Sequence, residues 1–203
     1  MRYRELKILN NKVLNLYKNL DAQIDQLKAD YKISCSNNCA KCCYYENVYA
    51  NILEFIPFVL NLYEQSLLYD FYHLKIQDLD PSHICVLLNQ IDIDSGSGNC
   101  SFYNYRGLIC RLFGFSTITN KNNEKKFSTC KIIKSNFSDS IKKLNNDISK
   151  INISVISDYY SKLYSFNPGF SKDIYPINTA IKKAIEFIFF IFYYNKPGKK
   201  KAA

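Results

Sequence analysis

Four cysteines fall within nine residues, as Cys35-x3-Cys39-x2-Cys42-Cys43, and four more follow at Cys85, Cys100, Cys110 and Cys130. Two intervening residues let a turn bring both thiolates of a pair onto one ion. Tetrahedral zinc takes cysteine sulfur at about 2.3 Å, and closed four-cysteine sites are structural. Iron–sulfur clusters are likewise held by four thiolates. An all-thiolate set suits either metal. A single cysteine such as Cys85 reads as a small apolar core residue. That reading fails for 35–43, where Ser34, Ser36, Asn37, Asn38 and Lys41 make a polar loop. In an extended segment Cys42 and Cys43 would point to opposite sides, so they are expected to feed two centres or to bridge. Eight thiolates divide into two four-cysteine sets. The expectation is two metal centres, or one polynuclear centre, knitting 35–43 to 85–130. His73 and His83 read as surface histidines, with His83 at most behind a ligand.

Elements must carry these sulfurs. Over 2–31, Leu6, Leu9, Val13, Leu16, Leu20, Ile24, Leu27 and Tyr31 follow three- and four-residue steps, which predicts one long amphipathic helix. Its apolar stripe is about 39 Å long. Residues 34–47 form a polar loop, and 50–78 return to helical spacing, with Pro57 starting or kinking a helix. Residues 80–130 hold turn signals and the other four cysteines, with short strands expected at 84–88 and 110–119. Helical patterns resume over about 138–165 and again over about 177–194. The expected fold is mainly α, a helical shell around an irregular cysteine-rich metal-binding centre with at most a few short strands. Its parts are an N-terminal helix (1–33), a cysteine-cluster core (34–135), C-terminal helices packed on that core (136–195) and a basic tail (196–203). A centre so poor in regular structure needs a staple, and a metal is a common one.

Composition narrows the partners. The 203 residues carry a net charge of +9. Lys, Asn, Ile and Tyr, all with A/T-rich codons, make up 86 of them, so much of the Lys excess reflects coding bias. Arg occurs only at Arg2, Arg4, Arg106 and Arg111. Arg106 and Arg111 flank Cys110 and are placed to donate hydrogen bonds to sulfur or to a neighbouring carboxylate. Residues 1–100 hold 9 cationic and 12 acidic side chains and 101–203 hold 18 and 6, so the halves differ in sign. A basic half folding over an anionic site in an acidic half accounts for that asymmetry. A nucleic-acid surface built on Lys121, Lys125, Lys126, Lys131 and Lys134 is the alternative, and a solvated basic face enlarged by coding bias is preferred to it. Gly96, Gly98, Gly107 and Gly114 spell neither a P-loop nor a dinucleotide fingerprint. No signal peptide is read at the N-terminus. The apolar run 184–194, interrupted by Glu186, is too short for a membrane span. The chain is therefore read as cytoplasmic, where a cysteine cluster points to metal or catalysis rather than disulfides.

Cys-x3-Cys-x2-Cys is also the cluster signature of radical S-adenosylmethionine enzymes. Here a helix precedes it, Lys41 holds the position usually aromatic, and strand–helix alternation is absent, so that reading is set aside. The motif continues through Glu54, then Cys85-Val-Leu-Leu, then Gly98-Asn-Cys100-Ser-Phe-Tyr103-Asn-Tyr-Arg106-Gly107-Leu-Ile-Cys110-Arg111-Leu-Phe113-Gly114, and ends at Cys130. In this order it resembles a bacterial cysteine-cluster family with a CxxCxxCC signature, described as a zinc- or iron-chelating domain. The resemblance covers about 35–130. It implies metal ligation by Cys35, Cys39, Cys42, Cys43, Cys85, Cys100, Cys110 and, more loosely, Cys130, with Tyr103, Arg106 and Arg111 on its other motif positions. Val86, Gly107 and Gly114 depart from it, standing where the family usually has Pro. One branch is similar to flagellin lysine N-methylases. That implies, as an alternative, S-adenosylmethionine-dependent methyl transfer to a protein substrate.

Overall fold

Helical spacing over 2–31 becomes a single helix, α1 (Tyr3–Tyr31), in the computed structural model, which describes residues 1–80 and 84–194. The Arg2 and Glu5 side chains bridge its first turn, and Lys32, in the left-handed region at φ 51°, ends it. Leu6, Val13 and Leu20 are fully buried along the predicted stripe. That stripe packs on α2 (Ile56–Glu64), α4 (Leu108–Leu112), α6 (Ser138–Asn146) and α7 (Ile156–Phe166). The stripe is thus satisfied within the chain rather than by a second copy.

The segment 50–78 is less continuous than its spacing suggests. β1 (Tyr49–Ala50) leads into a 3-10 turn, Ile52–Phe55, and then α2, with Pro57 in its first turn. Pro is accommodated there because its missing N–H has no helical partner anyway. Ser66 at φ 59° then breaks the helix. Its N–H donates to the Tyr63 carbonyl, and the Leu67 N–H donates to the Leu62 carbonyl, the paired closure of a Schellman end. A second short helix, α3 (Leu68–Phe71), runs on into a π-turn, Tyr72–Ile76.

Between 84 and 130 the strands only partly follow expectation. β2 (Leu88–Asp92) pairs antiparallel with β3 (Ser97–Cys100), and β4 (Ser116–Thr119) with β5 (Lys125–Ser128). β4 falls inside the expected 110–119, while β2 begins where the expected 84–88 ends. Residues 110–112 belong to α4, not to a strand, and 84–87 run irregularly into β2. Beyond them come α5 (Lys131–Asn136), α6 and α7. The expected helical run over 138–165 is interrupted at 151–155, where Val155 forms a parallel bridge to Thr117. α8 (Pro168–Ser171), β6 (Tyr175–Pro176) and α9 (Ile177–Tyr194) are the last elements among the described residues, with β6 pairing antiparallel to β1.

Ala180, Ile181, Ala184, Ile185 and Ile188 bury one face of α9 completely against α2 and the Ile52–Phe55 turn. Among the described residues no helix is long and apolar enough to cross a membrane. The architecture is mainly α with short antiparallel hairpins. His83 and the basic tail 196–203 lie outside the described residues.

Candidate metal centre

The sulfurs are placed by loops that are sewn to one another. The Ala40 N–H donates to the Gly96 carbonyl, the Gly98 N–H to the Asn38 carbonyl, and the Tyr44 hydroxyl to the Ser97 carbonyl, so 38–44 lies along β3. Gly98 is required where β2, β3 and this loop meet, since a Cβ there would stand 2.7 Å from the Asn89 carbonyl oxygen of β2 and 3.3 Å from the Ala40 Cβ. The Cys85 N–H donates to the Cys43 carbonyl at 3.0 Å. Asn178, buried in the first turn of α9, clamps the neighbouring backbone. Its Oδ1 accepts from the Val86 N–H at 2.9 Å and its Nδ2 donates to the Ile84 carbonyl at 3.1 Å.

Seven of the eight cysteines line one cavity of about 420 Å3: Cys35, Cys39, Cys42, Cys43, Cys85, Cys100 and Cys110. Lys28, Arg106 and Arg111 also line it, with no carboxylate or imidazole among its described lining residues. Cys130 is outside the lining. It caps α5, its Sγ accepting from the Ile133 N–H at 3.5 Å, and its charge still reaches the Cys35 thiol. Cys42 and Cys43 do not lie in extended chain. Lys41–Tyr44 closes a 3-10 turn, where neighbouring side chains do not alternate across a pleat. Both sulfurs therefore face the same cavity, 4.0 Å apart, which corrects the expectation that they point to opposite sides.

Most of these thiols are held protonated. Burial pushes Cys85 up to about 12 and raises Cys100 and Cys110, the latter strongly and with help from the Cys85 and Glu54 charges. Partial desolvation of the sulfur, then the charge and hydrogen bond of Cys39, pushes Cys35 up to about 12, although the residue is exposed. Cys42 is the exception. The Cys43 thiol donates to it and lowers it to about 7, with backbone amides and the Arg106 charge assisting, while Cys43 itself is raised.

Arg106 and Arg111 converge on Asp21 of α1. Arg106 Nη2 reaches Oδ1 at 3.1 Å and Arg111 Nε reaches Oδ2 at 3.2 Å. Arg111 is only 4% exposed, lies over the Tyr17 ring at 4.2 Å, and also donates to the carbonyls of Asn104 and Arg106. Arg106 stacks on the exposed ring of Tyr103 at 3.9 Å. Lys121, Lys125, Lys126, Lys131 and Lys134 sit on the β4–β5 hairpin and α5, and Lys125 donates its ammonium to the Ile151 carbonyl.

Among the described residues no three His, Cys, Asp or Glu side chains stand close enough to hold a metal ion. One observation nonetheless fits a thiophilic metal: the donor set is sulfur alone with cations around it, the reverse of a calcium or magnesium site.

Sequence reasoning assigned no role to Asp21, Glu54 or Asn178. Asp21 reads as one more polar residue on a helix face, and its arginines lie 85 and 90 positions away. Asn178 did carry a signal, as an amide in register with the apolar face of Ile181, Ile185 and Ile188. Comparison with protein-family models, curated proteins and solved structures finds no match to this chain.

Proposed function

We propose that this chain is a metal-binding protein whose cysteines hold zinc or an iron–sulfur cluster in one or two thiolate centres. The observation that carries this reading is the convergence of seven cysteines from four separate stretches on one cavity lined by three cations and, among its described lining residues, no competing hard ligand. Four thiolates on a divalent ion leave a net charge of −2. Lys28, Arg106 and Arg111 offset it at short range. Each sulfur swings on one χ1 torsion among three staggered wells, so side chains already facing the cavity gather by rotamer change.

The mutual influence of the thiols suggests their division. Cys85, Cys100 and Cys110 act on one another, with Cys43 beside them, while Cys35 answers to Cys39 and Cys130. Cys42 acts on both groups. Bound zinc supplies a cross-link between these loops, and a bound iron–sulfur cluster supplies one-electron redox chemistry as well.

The test is anaerobic purification under reducing conditions, followed by elemental analysis, native mass spectrometry and thiol titration. A brown preparation with visible absorbance identifies iron and a colourless one with zinc identifies zinc. Two centres leave no titratable thiol, and a single mononuclear centre leaves four. A protein that retains neither metal and binds neither on reconstitution refutes the reading.

A further inference from the structure

Glu54 is fully buried in the Ile52–Phe55 turn, and its two oxygens serve two different elements. Oε1 accepts from the Asn51 N–H at 3.0 Å, closing a capping box on its own turn. Oε2 crosses the fold and accepts from the Ile109 N–H at 2.9 Å. The Leu108 amide and the Tyr160 hydroxyl are near enough to favour the ionised form of the carboxylate. The Glu54 carbonyl in turn accepts from the buried Tyr17 hydroxyl at 2.9 Å.

The receiving element is α4, which carries Cys110 and Arg111. The N-cap of α4 is Gly107, which has no side chain to satisfy the first amides of the helix. Glu54 supplies the missing acceptor from 55 residues away. Gly107 is also what allows it to come close. A Cβ there would stand 3.1 Å from Glu54 Oε2 and 3.1 Å from the Phe55 ring.

We propose that Glu54 is a positioning residue of the thiolate centre, a carboxylate that fixes the start of α4 and thereby aims Cys110 into the cavity and Arg111 at Asp21. This rests on the metal-binding reading of the cavity. The groups are placed for it: a helix of five residues, without a cap of its own, is oriented by what holds its first amides. If that hold loosens, the Cys110 sulfur and the Arg111 guanidinium move together.

The experiment is a cobalt(II) titration of the reduced full-length chain without oxygen, above the Glu54 pKa of about 7 so that the carboxylate is ionised, on wild type, Glu54→Gln and Gly107→Ala. Glutamine keeps the size but offers one acceptor and one donor, so it opposes either the Asn51 or the Ile109 amide. Alanine leaves the carboxylate intact and presses on its Oε2. Both variants are expected to bind cobalt about 10- to 100-fold more weakly, in line with other groups that orient metal ligands. Both are expected to show altered sulfur-to-cobalt charge-transfer and ligand-field bands while far-ultraviolet circular dichroism stays native. Variants whose melting falls but whose cobalt affinity and spectra equal wild type overturn the proposal, because a purely structural role predicts that pattern. If Glu54→Gln does not fold, Gly107→Ala decides alone. A wild-type chain that binds no cobalt and assembles no cluster with iron and sulfide refutes the metal reading itself, and these wild-type controls tell the two failures apart.

Discussion

Burial and hydrogen bonding pull the Glu54 carboxyl in opposite directions, and burial wins, raising its pKa from 4.5 to about 7. Between those two values the folded metal-free protein binds a proton that the unfolded chain has released. Stability from this group is therefore complete below pH 4.5 and is lost as pH rises through about 7. The loss amounts to roughly 3 kcal/mol. The depressed pKa of Cys42 acts with the opposite sign but only above about pH 7. Urea unfolding of the reduced apoprotein at pH 5 and pH 7 should show a decline in wild type that Glu54→Gln lacks. Asp21 gives a second expectation. It is the carboxylate to which both Arg106 and the buried Arg111 donate, so Asp21→Asn should lower stability by about 2 kcal/mol, read as a drop in melting temperature. The sulfurs were legible in the sequence because cysteines crowded into a polar loop cannot be filling an apolar core. Glu54 stood in the same motif without a role, since the amide it holds lies 55 residues away and no local pattern records that pairing.

Elements were legible where the apolar period ran long. α1 and α9 lie where the spacing predicts them, since each buries a continuous stripe. Pattern was silent where a backbone turn decides the outcome. Ser66 stops α2 inside an uninterrupted apolar rhythm, and a bridge between Val155 and Thr117 cuts the run over 138–165. Within the expected strand over 110–119, residues 110–112 are helix and only 116–119 are strand, and the influence is again tertiary, since Glu54 accepts from the Ile109 amide of α4. Gly114, just past α4, sits at φ 84°, a conformation open to glycine and closed to proline, whose ring locks φ near −65°. The glycine here is therefore a structural requirement of the α4 exit. Gly114→Pro should destabilise the protein by about 3 kcal/mol or more, a fall of roughly 6–12 °C in melting temperature. Gly114→Ala should cost about 1–2 kcal/mol, because its strain is smaller although Ile133 Cδ1 lies 3.2 Å from the new Cβ.

The sign difference between the halves of the chain resolves at the scale of the whole molecule. Arg106 and Arg111 from the basic half fold onto Asp21 in the acidic one, at the wall of the cysteine cavity. Around that cavity the protein is unevenly built. α1, α2, α7 and α9 share a continuous apolar core. The loops 34–48 and 84–107 bury little and are joined mainly by single backbone hydrogen bonds such as Cys85 to Cys43 and Ala40 to Gly96. Local stability follows contacts of this kind, so the loops should open well before the helices do. A metal that binds only the folded arrangement stabilises it by about 4 kcal/mol at a free concentration a thousandfold above its Kd. That gain belongs to the loops. Chelation under reducing conditions should therefore lower the melting temperature and expose 34–48 and 84–107 to protease and to rapid amide exchange, while the amides of α1 and α9 stay protected. Equal protection of the loops with and without metal would mean that the hydrogen bonds between them suffice, and that the sulfurs hold no structural ion.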